Sequence, residues 1–148
     1  MEIQPDFKDL LELFNAHKVE YLIVGGYALA FHGAPRYTGD IDILVRPTEG
    51  NAIRILKALD EFGFGSVGLT KDDFQDPDKV VQLGMPPVRV DIMTSVTGVP
   101  LNDVFAGEVD GNYGDVPVKY IGRDQFIANK RTTGRKKDLA DLENLGEE

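Results

Sequence analysis

The chain has 148 residues, of which 42% are hydrophobic and none is cysteine, and its formal net charge is −9. This length and composition suit one folded domain over 1–148, and the missing cysteines exclude disulfides, thiolate zinc sites and thiol nucleophiles. The negative charge disfavours nonspecific binding to nucleic acid over the whole surface. There is no run of about 18 apolar residues and no signal peptide, so we predict a cytoplasmic protein without a membrane partner.

The predicted elements alternate between helices and strands. Apolar residues at helical spacing predict a first helix over Asp6 to His17, followed by a buried strand over Tyr21 to Val24 and a short helix after a double glycine. The further predicted elements are a loop over 34–39, a strand over 40–45, a helix from 47 or 48 to 62, strands over 79–85 and 88–93, a turn at Pro86 and Pro87, a helical turn over 101–106, strands over 109–114 and 116–120, and helices over 123–130 and 136–145. This mixture favours an α/β or α+β sheet with flanking helices.

Asp40 and Asp42 lie one residue apart in the apolar stretch DIDILV. Side chains alternate between the two faces of a strand, so both carboxylates would lie on one face, about 7 Å apart. Carboxylates this close repel each other unless a positive charge lies between them, and Mg²⁺ takes such oxygen ligands together with substrate phosphates. The pair therefore predicts a magnesium site, although two aspartates could instead cap a turn or lie on a solvated strand face.

Asp91 lies in a second alternating strand, VRVDIM, on the same face as Arg89 and Met93. Alone it would more often be a surface or salt-bridged residue than a ligand. If its strand pairs beside the first, three carboxylates converge on one patch, and Asp91 is then predicted to be the third metal ligand. Three carboxylates with two Mg²⁺ ions form a known solution to nucleotidyl transfer, in which one ion activates the attacking hydroxyl and the other holds the triphosphate.

Two further features favour a phosphate-bearing ligand. Gly25 and Gly26 end a strand and open a helix, where free backbone N–H groups can approach an anion, although a tight turn would also explain them. A basic cluster in this acidic chain can neutralise a triphosphate or a nucleic-acid backbone, or can be a helix end that pairs with the acidic tail. The basic cluster consists of Lys130, Arg131, Arg135, Lys136 and Lys137.

Within the basic cluster, Lys130 and Lys137 are the best candidates for phosphate contact. Asp138 and Asp141 recur at helical spacing behind them. We predict that these two aspartates pair with the cations or cap the helix, rather than bind a metal ion.

The double glycine, a spacer of thirteen residues, DID and a later aspartate-bearing strand together resemble the nucleotidyltransferase signature of the DNA polymerase β superfamily. The stretches APRYTGDIDILV and RTTGRKKDLADLENL resemble its small stand-alone branch, which includes minimal nucleotidyltransferases, AbiE-type abortive-infection toxins and small antibiotic nucleotidyltransferases. The resemblance runs from about Tyr21 to Leu145 and is weakest between Gly63 and Lys79. It implies a polymerase-β-like fold with a mixed sheet flanked by helices, and an active enzyme, because all three carboxylate positions are filled.

The resemblance also implies roles for single residues. Asp40 and Asp42 would bind both metal ions, and Asp91 would bind one ion and help to deprotonate the acceptor hydroxyl. The residues implied to lie near the triphosphate are Gly25, Gly26, Arg36, Thr38, Lys130 and Lys137. For Arg36 and Thr38, loop packing is the alternative.

The acceptor of the nucleotide stays open at this point. Candidates are a protein partner in a toxin–antitoxin system, the 3′ end of a tRNA, and a small hydroxylated molecule such as an aminoglycoside or a lincosamide. The basic cluster favours RNA, whereas the net charge of −9 suits a cationic aminoglycoside. The alternative to an enzyme is a non-catalytic nucleotide-binding or toxin-neutralising module of the same fold.

Overall fold

Six strands form one mixed sheet in the computed structural model, which describes residues 3–35, 38–65, 67–85 and 88–147. The strands are β1 (Tyr21–Val24), β2 (Asp40–Val45), β3 (Val80–Met85), β4 (Val88–Met93), β5 (Val109–Tyr113) and β6 (Val116–Tyr120). Their order across the sheet is β3–β4–β2–β1–β6–β5, with β1–β6 and β2–β4 parallel and the other pairs antiparallel. The strand with the paired aspartates, β2, therefore lies inside the sheet between β1 and β4.

Helices flank this sheet. They are α1 (Pro5–Ala16), α2 (Gly25–Phe31), α3 (Glu49–Leu59), α4 (Leu101–Ala106), α5 (Arg123–Thr133) and α6 (Lys136–Asn144). The apolar face of α1 is buried at Phe7, Leu10, Leu11 and Phe14, which is the helical spacing read from the sequence. Among the described residues, no helix combines the length and the apolarity needed to cross a bilayer.

The predicted fold class, an α/β or α+β arrangement with a mixed sheet and flanking helices, is confirmed, and the element ends shift by a few residues. The helix α2 begins at Gly25 itself, so the double glycine forms its first turn rather than preceding it. The helix α3 begins after Thr48, whose side chain accepts a hydrogen bond from the backbone N–H of Asn51, and it ends at Leu59 because the chain continues as a π-helical turn over Asp60–Phe64.

The remaining segments are the one between α3 and β3 and the turn between β3 and β4. Between α3 and β3, where no element was predicted, a 3₁₀ turn over Lys71–Phe74 buries the Phe74 ring in the core. The predicted turn at Pro86 and Pro87 lies outside the described residues.

Candidate functional site

The pairing register of the sheet brings the three predicted metal ligands together. Asp42 of β2 lies directly opposite Asp91 of the parallel strand β4, and Asp40 lies opposite Arg89. Because side chains alternate along a strand, all four side chains project from the same face of the sheet. Asp91 is only 8% exposed, and Asp40 and Asp42 are half-buried. A concentrated, partly desolvated group of carboxylates therefore forms at the centre of the sheet.

Within this group of carboxylates, the Asp42 carboxyl has a clearly shifted pKa. Its pKa is raised to about 6, first by burial and then by the negative charges of Asp91 and Asp40. A hydrogen bond with Asp91 raises the pKa further, and the positive charge of Lys130 opposes these effects. The surroundings of Asp42 therefore disfavour its ionised form. A cation bound next to such a group strongly stabilises the ionised carboxylate.

Arg89 contacts two of the three carboxylates. Its role in the site was not predicted from the sequence. Its Nη2 donates to Asp40 Oδ2 over 2.7 Å and to Asp91 Oδ2 over 3.3 Å, and its Nε lies 3.2 Å from Asp91 Oδ1. The last contact is too poorly aligned for a hydrogen bond, so both Arg89 Nε and Asp91 Oδ1 are buried without one in the described part of the chain. The alternation of VRVDIM predicts that Arg89 and Asp91 lie on the same strand face. This pattern is the sequence feature from which the contact could have been predicted.

The donor set fits a hard divalent cation in its chemistry. Carboxylate oxygens are the ligands that Mg²⁺ prefers, and the buried Asp91 Oδ1 accepts no hydrogen bond from the residues that the structure describes. Within the described residues, however, no three acidic or histidine side chains are placed so that they could hold a metal ion together. Arg89 engages two of the predicted ligands in this arrangement. Asp42 and Asp91, with Asp40, are the residues that would hold a metal ion.

The double glycine gives the start of α2 close contact with β2. Gly25 has a φ of +68°, and a Cβ built on it would overlap the carboxylate of Asp42; a Cβ on Gly26 would lie 2.9 Å from Thr38 Cβ. Asp42 pairs with Val24, the last residue of β1, so the turn that follows β1 necessarily passes the Asp42 side chain. Glycine is thus required here to let backbone and carboxylate lie side by side.

We expect Gly25→Ala to reduce the activity of the site far more than it reduces stability. An alanine at this φ costs about 1–2 kcal/mol of backbone strain, and its methyl group also displaces the Asp42 carboxylate, where a shift of about 1 Å can cost about 10²-fold in rate. Gly114→Ala is the matched control, because Gly114 has a φ of +62° but its Cβ would make an ordinary contact 3.6 Å from Ile3. Urea unfolding and transfer rates of both variants check this; equal activity of the two would contradict it.

A cavity of about 260 Å³ adjoins the carboxylates, between the β1–α2 turn and α5. It contains four of the predicted site residues, namely Gly25, Asp42, Lys130 and Lys137. Arg135, another member of the basic cluster, also lines it. The other polar lining residues were not predicted, because they carry no motif: Ser95, Thr97, Asn129 and Thr133. The structure therefore joins the carboxylates and the basic cluster, although the two are far apart in sequence.

Lys130, which lines this cavity, belongs to a buried group of ion-paired side chains. It is 7% exposed, and its Nζ lies 3.3 Å from Asp138 Oδ1 and 3.7 Å from Asp141 Oδ2, while the two aspartates are 0% and 2% exposed. Asp138 also caps α6, since its Oδ2 accepts hydrogen bonds from the backbone N–H and the Nε of Arg135. The prediction that these aspartates pair with the cations or cap the helix is confirmed, since both contact Lys130 and Asp138 also caps α6.

Gly26 and Thr38, two further predicted phosphate neighbours, are not among the described residues that line the cavity. The Thr38 hydroxyl donates to the backbone carbonyl of Asp40 over 3.0 Å, and its side chain packs on Gly26. Arg36 lies outside the described residues. The phosphate-binding roles of Thr38, Gly26 and Arg36 stay predictions, as do those of the residues that line the cavity.

Comparison with known proteins identifies the fold. No profile of a protein family matches the chain, and no curated protein matches it. Among solved structures, it superposes on TM1012 of Thermotoga maritima, a presumed nucleotidyltransferase, with a TM-score of 0.63 and 15% identity over 96% of this chain and 93% of that chain. It also superposes on the lincosamide antibiotic adenylyltransferase LnuA, solved with lincomycin bound, with a TM-score of 0.57 and 17% identity over 99% and 98% of the two chains.

A third match is an antigenic nucleotidyltransferase-like protein of Paracoccidioides brasiliensis, with a TM-score of 0.54 and 18% identity over 92% of this chain and 70% of that chain. At these identities the likeness establishes the fold. The chain has the nucleotidyltransferase fold, as the sequence resemblance implied.

Proposed function

We propose that this protein is a Mg²⁺-dependent nucleotidyltransferase, which moves a nucleoside monophosphate from a nucleoside triphosphate to a hydroxyl group. In this reaction the acceptor oxygen forms a bond to the α-phosphorus, the bond to the bridging oxygen breaks, and pyrophosphate leaves. The observation that carries the proposal is the pairing of Asp42 with Asp91 across β2 and β4, beside the Gly25 turn. The nucleotidyltransferase fold supports the same conclusion.

The carboxylates supply the ligands and the base in this proposal. Asp40, Asp42 and Asp91 would hold two Mg²⁺ ions, which when bound supply charge neutralisation at the triphosphate and activation of the attacking hydroxyl. Asp91 would also help to accept the proton of the acceptor hydroxyl. The protein thus contributes position and charge, and no covalent intermediate is needed.

The glycines and lysines would serve the triphosphate. Gly25 lets the backbone at the start of α2 lie against the Asp42 carboxylate, where backbone N–H groups could bind phosphate oxygens. Lys130 and Lys137 line the same cavity and provide positive charge opposite the carboxylates. Lys130 is held in place by Asp138 and Asp141, whereas Lys137 is exposed to solvent.

We infer that a small hydroxylated molecule is the first acceptor class to examine. The match to the lincosamide adenylyltransferase LnuA covers nearly the whole of both chains, and the net charge of −9 favours a cationic molecule. A protein partner in a toxin–antitoxin system of the AbiE type, or the 3′ end of a tRNA, is the second class. The exposed cations Arg131, Lys136 and Lys137 favour that class.

The test incubates the protein with each α-labelled nucleoside triphosphate, Mg²⁺ and one acceptor class at a time: aminoglycosides and lincosamides, deacylated tRNA, or a protein lysate. We expect label in one class only, and we expect Asp42→Asn to remove it. If label appears in none, although the protein binds the triphosphates, the transferase proposal is wrong. The non-catalytic module is then favoured, and it requires that the biological effect survive in Asp42→Asn.

A further inference from the structure

We propose that the guanidinium of Arg89 is an internal counter-ion, which holds the carboxylates in the metal-free protein and with which a divalent cation must compete. The inference rests on the proposed metal site, and it concerns a residue outside the predicted set of ligands. It explains why three carboxylates on one face of the sheet are not arranged around an ion within the described residues.

The geometry shows Arg89 in the position of a bridging cation. It stands opposite Asp40 in the register of β2 and β4 and two residues before Asp91 on the same strand face. Its side chain is 32% exposed and contacts both carboxylates, at 2.7 Å to Asp40 Oδ2 and at 3.2 and 3.3 Å to the two oxygens of Asp91. One positive charge is thus shared by two partly buried negative charges.

A guanidinium and a magnesium ion compete for the negative charge of the same carboxylates. Mg²⁺ requires its ligand oxygens at about 2.1 Å and in near-octahedral geometry, and the two cations repel each other at that range. Binding of Mg²⁺ to Asp40 or Asp91 therefore weakens the ion pairs of these carboxylates with Arg89. Metal affinity then contains the cost of weakening these ion pairs.

The contact with Asp91 is the weaker of the two and is expected to open first. The hydrogen bond to Asp40 is short, whereas Arg89 Nε and Asp91 Oδ1 face each other at 3.2 Å without a well-aligned hydrogen bond. Asp91 Oδ1 therefore loses little when it turns to a metal ion. Asp91 is also the carboxylate that lies directly beside Asp42, so this release brings the two adjacent ligands together.

The test measures Mg²⁺ binding by calorimetry, and thermal unfolding with and without Mg²⁺, in the absence of any nucleotide. Arg89→Met keeps the length of the side chain and removes the charge. We expect the metal-free variant to melt at a lower temperature than the wild type, its Mg²⁺-induced rise in melting temperature to be larger, and its Kd for Mg²⁺ to be about tenfold lower. Arg89→Lys, which keeps the charge, is expected to stay near the wild-type Kd.

Arg46→Met is the matched control for the change in net charge. Arg46 follows β2, is 28% exposed and pairs with Glu20, away from the carboxylates. This control is expected to leave the Kd for Mg²⁺ unchanged, which separates a local effect from a general one.

Several outcomes would overturn the inference. An equal fall in melting temperature with and without Mg²⁺ would assign Arg89 a structural role alone, and a weaker affinity in Arg89→Met would make it a support of the ligands. Absence of Mg²⁺ binding in both proteins would also overturn it. The inference and the proposed function fail separately. Nucleotidyl transfer by the wild type, together with an unchanged Kd for Mg²⁺ in Arg89→Met, would reject only the inference about Arg89. A lower Kd in Arg89→Met, without nucleotidyl transfer by the wild type, would reject only the proposed function.

Discussion

Asp42→Asn is expected to abolish nucleotidyl transfer and, at the same time, to stabilise the metal-free protein above about pH 6. Under the proposed function, loss of this carboxylate would remove metal-ion catalysis worth several kcal/mol, which corresponds to about 10³-fold or more in rate. Stability rises because the charged form of Asp42 is disfavoured by burial and by the neighbouring charges of Asp91 and Asp40. The neutral amide removes this repulsion and is nearly the same size.

The pH dependence follows from the direction of the Asp42 shift. The folded-state pKa of about 6 lies above the ordinary value of 3.8, so the folded protein holds this proton more tightly than the unfolded chain does. The stabilisation is complete below about pH 4 and is lost as the pH rises through about 6. The free energy of unfolding of the wild type should therefore decrease over this range by an amount on the order of 2 kcal/mol.

Urea unfolding in the presence of a chelator, at about pH 4 and about pH 8, checks this expectation. Asp42→Asn should match the wild type at the lower pH and exceed it at the higher pH. Added Mg²⁺ should stabilise the wild type at the higher pH and have little effect on the variant. A variant that is less stable than the wild type at both pH values would contradict the electrostatic account of Asp42.

Lys130→Met is expected to produce the largest loss of stability among the site variants, about 3 kcal/mol. The substitution keeps the length of the side chain but leaves Asp138 and Asp141 without the charge of Lys130 in a nearly solvent-free environment. Asp138 retains its hydrogen bonds with Arg135, which places the loss at the lower end of the range for a broken buried pair. Urea unfolding measures it directly.

Lys137→Met is the matched control for Lys130. Lys137 lines the same cavity but is exposed to solvent, so its loss should change the free energy of unfolding by less than about 0.5 kcal/mol. A stability loss in Lys130→Met as small as that of the control would contradict the buried ionic group. Adding Asp141→Asn to Lys130→Met should recover part of the loss, because one of the two buried negative charges that faced Lys130 is removed.

The sequence predicted the faces of the carboxylate strands well because side-chain alternation is a local property. Period-two alternation put Asp40 with Asp42, and Asp91 with Arg89, before any pairing was known. The pairing itself was not predictable locally. The parallel alignment of Asp42 with Asp91 depends on β4, which is separated from β2 by the 42 residues 46–87 and pairs with β3 on its other side.

The sequence did not predict which cation of the basic cluster is buried, for a similar reason. The basic cluster is continuous in sequence, yet Lys130 is buried while Lys136 and Lys137 are exposed. The difference comes from the packing of α5 on α6, which encloses one side of α5. Likewise, the Ser95 and Thr97 side chains reach the cavity from the segment that follows β4, where no pattern marks a site.

The size of the cavity has a consequence for how substrates are chosen. Sites that enclose small molecules usually measure about 300–1,000 Å³, and this cavity measures about 260 Å³. It is too small to enclose a nucleoside triphosphate and an acceptor together, so one of the two must extend into solvent. Under the proposed function, the triphosphate would occupy the cavity, because Gly25, Lys130 and Lys137 line it. The acceptor would then bind outside it, and changes in the cavity walls would alter the preference for the nucleotide more than the preference for the acceptor.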